Sequence, residues 1–219
     1  MSNFMYGDSL ITIKMGDKTP NGYFNLDVTS RNTKLRNYLS PFFLGPVNTP
    51  DGMTANLVEN LWQFGKVYPQ LADENGNPTE EFFQWRYMGF SDNKAHRHTL
   101  PGKPLYHWWN GERLGYIESR KRVYIPVFTM AIMQRPDVIR QLKQYLEQGG
   151  KVAIRDFDGF NFKANGFDYE SFVNYDKKIL GHGHVIAMIM ERPDLINYML
   201  NRYNQELGNT NILDINSVL

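Results

Sequence analysis

The chain has no cysteine, which excludes disulfides and thiolate metal sites. It has no run of about 18 apolar residues, the length that a membrane-spanning helix needs. Its first residues, MSNFMYGDSLITIKMG, lack the basic start and long apolar stretch of a secretory signal. It has little net charge, +1 over 219 residues, which argues against a generally basic nucleic-acid binder. These absences predict a protein of a reducing compartment, cytoplasmic by default, with no membrane partner.

What is present is 42% hydrophobic and 14% aromatic, enough for one domain to build a core without staples. SLITIKM and YFNLDVT alternate apolar and polar residues around the turn-forming DKTPNG, which predicts a hairpin over 8–30. YLSPFFLGPV (38–47) reads as an edge strand or tight loop. Helices are expected over 56–68 and over EEFFQWRYMGF. A long helical pattern at 112–134 is to be kinked or split by Pro126. MQRPDVIRQLKQYLEQGG is a helix stopped by a glycine pair, KVAIRDF a short strand, and GHGHVIAMIM a helix, followed by another at MERPDLINYMLNRYNQEL. The expected class is α+β, a mainly helical single domain with a few short strands.

Charge is uneven along the chain. Residues 94–122 carry Lys94, Arg97, Lys103, Arg113, Arg120, Lys121 and Arg122 with His96, His98 and His107, opposed only by Glu112 and Glu118. A basic segment enclosing Trp108 and Trp109 suits a phosphorylated ligand with a flat ring; a solvated, irregular insertion over 91–111 is the plainer reading.

The helix at 56–68 has two faces. Leu57, Val58, Leu61 and Gly65 form an apolar stripe. Glu59, Gln63 and Lys66 stand in file on another face with Trp62 beside them. Asn56 and Glu59 also fit a capping box, which accounts for Glu59 but not for Gln63 and Lys66. An exposed salt bridge would account for the file but contribute little.

Two further stretches carry chemistry-bearing residues. Asp156 and Asp158 follow the strand KVAIRD as Asp-x-Asp-Gly. The pattern fits a turn in which Asp caps backbone N–H groups, a carboxylate pair at a site, or the metal-holding Asp-x-Asp of nucleotide-sugar glycosyltransferases. A phosphatase of the haloacid dehalogenase type is disfavoured, because too little chain follows Asp158 and no later Asp pair suits magnesium. In GHGHVIAM, Gly181 and Gly183 allow close approach of a ligand to a helix start, where phosphate is attracted. His182 and His184 lack a third ligand at clear spacing for a metal.

The order of these pieces resembles the NADAR family, the YbiA-like fold. Leu39-Ser40-Pro41-Phe42 resembles its first element. Val58-Glu59-Asn60 with Gln63 and Lys66 resembles its second, in the clearest register. Arg120, Gln134-Arg135-Pro136, Val152–Asp156, and Gly183-His184 with Met190-Glu191-Arg192 follow in the family's order. The family's Asp-x-x-Trp-Gly is not visible, so Asp156 or Asp158 stands in for its acid, and His184 replaces its Asn. On this resemblance the core is 38–195 with a basic insertion at 91–111, preceded by a hairpin extension (1–37) and followed by a C-terminal helix and tail (196–219).

Membership would imply hydrolysis of the N-glycosidic bond of a ribosylated or ADP-ribosylated base, on a free nucleotide or on DNA or RNA, without metal or redox cofactor. Breaking C1′–N builds oxocarbenium character on the ribose, which a carboxylate stabilises or relieves by activating water. The catalytic residues would be Glu59 and Lys66 with Asp156 or Asp158. Ser40, Phe42, Trp62 and Gln63 would line the substrate, with Trp108, Arg120, Gly183 and His184 completing its contacts. Two alternatives stay open: a metal-dependent glycosyltransferase using Asp156 and Asp158, and a non-catalytic binder of an ADP-ribose-like ligand.

Overall fold

Strand β8 (Val152–Asp156) opens with Val152, Ala153 and Ile154, all fully buried. A strand buried on both faces needs a hydrogen-bonded neighbour on each edge. In the computed structural model, which describes residues 4–97, 99–209 and 213–219, those neighbours are β1 (Leu10–Lys14) and β2 (Phe24–Asp27). Both run parallel to β8, in the order β1-β8-β2, with Leu10 and Phe24 each opposite Val152. The hairpin expected over 8–30 is therefore not formed. The alternation that marks the two strands is real, but β8 enters between them, and residues 15–23 become a crossover loop. Arg155 holds that loop by donating to Asp17 O at 2.8 Å and Thr19 Oγ1 at 2.8 Å, and it bonds β2 at Asn25 Oδ1 at 2.9 Å.

Helix α1 (Arg36–Leu39) leads into a turn through Pro41 and a two-stranded ribbon, β3 (Val47–Asn48) with β4 (Thr54–Ala55). Helix α2 (Val58–Phe64) is shorter than the pattern over 56–68 predicts. It closes at Gly65, and Lys66 begins β5 (Lys66–Val67) instead of another helical turn. The reason is tertiary. β5 pairs antiparallel with β6 (Tyr106–Trp109), Lys66 opposite His107, and β6 pairs with β7 (Glu112–Leu114). The second half of the basic segment is thus a strand with His107 and Trp109 buried. Residues 92–97 and 99–105 are irregular, as the sequence suggests.

The helical pattern at 112–134 resolves into β7, α4 (Tyr116–Ser119), a π-helical turn (Arg120–Tyr124) and α5 (Ile125–Met133). The irregularity sits just before Pro126, where Ile125 N–H reaches back to Arg120 O, an i→i−5 bond. Pro126, with no N–H to give, occupies the start of α5. Helix α6 (Asp137–Glu147) precedes β8, and α7 (Tyr169–Val173) follows it. Helix α8 (His182–Glu191) is buried along its whole length among β1, β8, α5 and α9 (Pro193–Glu206). α10 (Ile215–Val218) closes the chain. The class is α+β, mainly helical with small sheets, and among the described residues no helix is long and apolar enough to cross a membrane.

The packing of α2 against α3 (Glu80–Ser91) is set by Gly89. A Cβ there would overlap the Phe64 ring. Glycine inside a helix is ordinarily less stable than alanine by about 0.5–1 kcal/mol. Here the sign reverses: Gly89→Ala is expected to destabilise by about 1–3 kcal/mol, the range for overpacking, read as a fall in thermal and urea midpoints.

Candidate functional site

At the C-terminal end of β8, where ligands bind in open parallel sheets, a cleft of about 380 Å³ opens. It is large enough for a nucleotide-sized molecule. α2 contributes Glu59, Trp62 and Gln63; β5 contributes Lys66; the turn after α1 contributes Pro41 and Phe42. The other wall is Asp156, Phe157 and Asp158 after β8, with Gly181 and His182 at the start of α8. Tyr116, Arg120 and Tyr124 close one side, and Arg97 stands at the mouth.

The file expected on α2 exists as a hydrogen-bonded chain. Lys66 Nζ donates to Gln63 Oε1 at 2.7 Å, and Gln63 Nε2 donates to Glu59 Oε1 at 2.8 Å. Glu59 and Gln63 are only 6% and 7% exposed, which rules out a surface salt bridge. Glu59 is not a cap either. Leu57 is the N-cap, and the Asn56 side chain donates to Ser91 O and Asn93 Oδ1. Burial raises the Glu59 pKa, against the hydrogen bond from Gln63 and the charges of Lys66, His182 and Arg97. Burial also lowers Lys66 to about 8, with Glu59 opposing. Both shifts favour the neutral forms. Trp62 lies under the ammonium, 4.9 Å from Lys66 Nζ to the ring centroid.

Across the cleft, Asp156 Oδ2 accepts from Gly183 N–H at 2.9 Å and lies 3.3 Å from His182 Nδ1. The glycines of GHGH serve this contact. A Cβ at residue 181 would collide with Asp156 Oδ2, and one at 183 would press on the Asp156 Cβ and Ile154. The helix start expected to hold phosphate is thus occupied by the protein's own carboxylate. Asp158 sits further out; burial and the Asp156 charge raise its pKa, opposed by Arg97, His182 and Lys14. Tyr124 stands among the carboxyl groups, its pKa driven well up by burial and by Glu59, Asp156 and Asp158.

The two histidines separate, since residues two apart on a helix face opposite sides. His182 lines the cleft, with Nε2 on Val28 O at 2.8 Å. His184, chosen from the sequence, lies outside it: Nδ1 accepts from Gly181 N–H, Nε2 donates to Phe160 O at 3.0 Å, and the ring packs on Phe172. Ser40 is fully buried and turns its Oγ to Phe42 N–H. Trp108 is on the other face of β6 against Phe83, away from the cleft. Arg120 reaches the cleft, but its guanidinium is held by Val173 O, Tyr175 O, Lys178 O and the Tyr116 hydroxyl. It pins the 173–178 loop and is not free for phosphate. His98 lies outside the described residues.

Sequence reasoning weighed His182 but chose His184, and it missed Tyr116, Tyr124, Phe157 and the particular role of Arg97. Arg97 reaches the mouth because Asn60 ties residues 92–96 to α2, donating to Asp92 O and Lys94 O at 3.0 Å and accepting from His96 N–H at 3.0 Å. The Arg97 guanidinium then lies 4.8 Å from the Phe157 ring centroid and 5.9 Å from that of Phe42. Among the described residues no group of three or more His, Asp or Glu is placed to hold a metal ion.

Lys66 is expected to titrate near pH 8 when followed by its 13Cε chemical shift, two or more units below an ordinary lysine. Because Glu59 supports the ammonium, Glu59→Gln moves that midpoint lower still. A midpoint near 10 would contradict the buried arrangement.

No curated protein and no solved structure matches the chain. Residues 12–165, which include both walls of the cleft up to Asp158, match a family of unknown function, DUF6939, and the chain belongs to that family.

Proposed function

We propose that the cleft is the active site of an N-glycosidase that hydrolyses the bond between ribose and base in a ribosylated or ADP-ribosylated nucleobase, in a reducing, cytoplasmic setting. The observation that carries the reading is the buried Lys66–Gln63–Glu59 chain facing Asp156 and Asp158 across one cleft. The bond class comes from the resemblance to the NADAR family; the roles come from the geometry.

Glu59, buried and with a raised pKa, is the base that takes a proton from water. Asp158, on the same cleft, adds negative charge toward an oxocarbenium-like ribose. Lys66 protonates the departing base. Gln63 fixes the distance between acid and base by bonding to both. Asp156 orders the start of α8 and so acts through His182. Arg97 and the rings of Phe42 and Phe157 meet the outer part of the substrate.

The test is incubation of the purified protein, in EDTA, with ADP-ribosylated DNA and RNA oligonucleotides and with free ribosylated pyrimidines, followed by mass spectrometry. Loss of the ribosyl mass from one of them is expected. Glu59→Gln is expected to lower kcat by at least about 100-fold, the low end for a general base, at an unchanged melting temperature. Binding without mass change would favour a ligand binder. Transfer from a nucleotide sugar that EDTA abolishes would favour the glycosyltransferase.

The pH dependence follows from the two shifts. Glu59 must be ionised, so the rate falls on the acid side as pH drops through its raised pKa, above 4.5. Lys66 must be protonated, so the rate falls on the alkaline side through about pH 8. A bell with an alkaline limb near 8 is expected in kcat/KM, and a limb near 10 would remove Lys66 as the acid.

A further inference from the structure

Charge in the cleft is divided between its walls and its mouth. Glu59, Asp156 and Asp158 line the walls, and Arg97 stands at the mouth. The cations that reach the interior are already engaged. Lys66 donates to Gln63 and lies over Trp62, and Arg120 gives its N–H groups to the carbonyls of 173–178. The start of α8 is filled by Asp156. An anionic group finds no open partner inside, and the carboxyl groups there oppose it.

At the mouth the situation reverses. Arg113, Arg120 and Arg122 of the basic segment bond within the protein, to Asn77, to loop carbonyls, and to Glu112 with Glu206. The Arg97 guanidinium has no hydrogen-bond or ion-pair partner among the described residues and rests on rings instead, those of Phe157 and Phe42. Asp158 is near enough to feel its charge, yet the two form no ion pair. A second arginine meets the same ring. Arg31 lies over Phe157 at 5.2 Å from guanidinium carbon to centroid, against 4.8 Å for Arg97. Its guanidinium too has no hydrogen-bond or ion-pair partner among the described residues.

Both arginines are carried by fastened backbone. Arg31 follows Ser30, which lines the cleft, in the turn after β2. Asp27 secures that turn: its Oδ1 accepts from Thr29 N–H at 2.9 Å, and its carbonyl accepts from Asn32 Nδ2 at 2.7 Å. His182 adds its bond to Val28 O. Arg97 ends the segment that Asn60 ties to α2. Phe157 directly follows β8. A guanidinium set over a ring is held by cation–π attraction without spending its N–H donors, and that donor fork matches two oxygens of a phosphate.

We propose that Arg31 and Arg97, set on Phe157, form a phosphate clamp at the mouth of the cleft, so that the substrate is a phosphorylated nucleotide whose sugar enters the acidic interior while its phosphate stays at the rim. The proposal rests on the N-glycosidase reading for the end of the substrate that reacts, and it adds the group that holds the other end.

The experiment is calorimetric binding of ribose, ribose 5-phosphate and ADP-ribose to wild type, Arg31→Ala, Arg97→Ala, Arg97→Lys, Phe157→Leu and Lys103→Ala. Ribose 5-phosphate is expected to bind wild type at least about tenfold more tightly than ribose, the scale of hydrogen bonds to a charged group, with an advantage that shrinks as salt rises. Arg31→Ala and Arg97→Ala are each expected to lose at least about tenfold in ribose 5-phosphate affinity. Arg97→Lys, which keeps the charge but not the fork, recovers only part of that loss. Phe157→Leu lowers the affinity about two- to fivefold with no change of charge. Both arginines are exposed, so the melting temperatures of their variants are expected to hold. Lys103→Ala removes an exposed cation of the same basic segment that does not line the cleft, and it leaves the affinity unchanged. ADP-ribose binding more tightly than ribose 5-phosphate supports a clamp that takes a diphosphate, and equal binding supports one that takes a single phosphate. Equal affinities for ribose and ribose 5-phosphate, or a loss in Lys103→Ala as large as in Arg97→Ala, overturn the clamp. Ribose 5-phosphate binding with the expected pattern but no turnover of any ribosylated substrate supports the clamp and sinks the N-glycosidase reading. Turnover that is indifferent to the phosphate does the reverse.

Discussion

The carboxylate of Asp156 is the point at which sheet, helix and cleft are joined. It ends the central strand, accepts from the backbone of Gly183 at the start of α8, and lies against His182. His182 in turn reaches Val28, just beyond β2. One side chain thus fixes β8 to α8, and through the imidazole fixes both to the edge of β2. A negative charge is favourable at a helix start, and the absence of side chains at 181 and 183 lets it approach. The cleft exists at this end of the sheet because the strand stops there and the helix begins beside it.

Against that frame, the opposite wall holds groups that fold stability alone does not favour. Glu59 and Lys66 are both driven by burial toward their neutral forms, and burial holds the His107 imidazole uncharged. Polar groups in such settings are unfavourable unless something else requires them. Gln63 reduces the conflict by bonding to Glu59 and Lys66 at once. Departures from local consistency that gather in one place are expected at functional or strained sites.

Much of this was legible in the residues. The file Glu59, Gln63, Lys66 is visible from helical spacing, and Asp156 and Asp158 from their place after an apolar strand. The helices at 137–147 and 182–206 followed from periodicity and terminator residues. What was hidden depends on contacts distant in sequence. Local alternation at 10–14 and 24–27 reveals strands but not that a strand from residue 152 onward separates them. The choice between His182 and His184 turns on the helix's rotation about its axis, which tertiary packing sets. Arg120 carries charge suited to phosphate, but the carbonyls that take it come from 173–178. His107 sits in a run of charge that reads as solvated, yet strand pairing with Lys66 buries it.

The placement of β8 between the two N-terminal strands also dictates a sequence of events in time. Leu10 and Phe24 meet their partner only at Val152, so the parallel sheet cannot close until most of the chain has left the ribosome. Until then both edges that will flank β8 are open to unwanted pairing, and a sheet built from such distant segments forms slowly. Asp156 arrives on the same late strand. The cleft therefore cannot form before the sheet closes, and a chain that stops short of residue 156 carries neither a finished sheet nor a site.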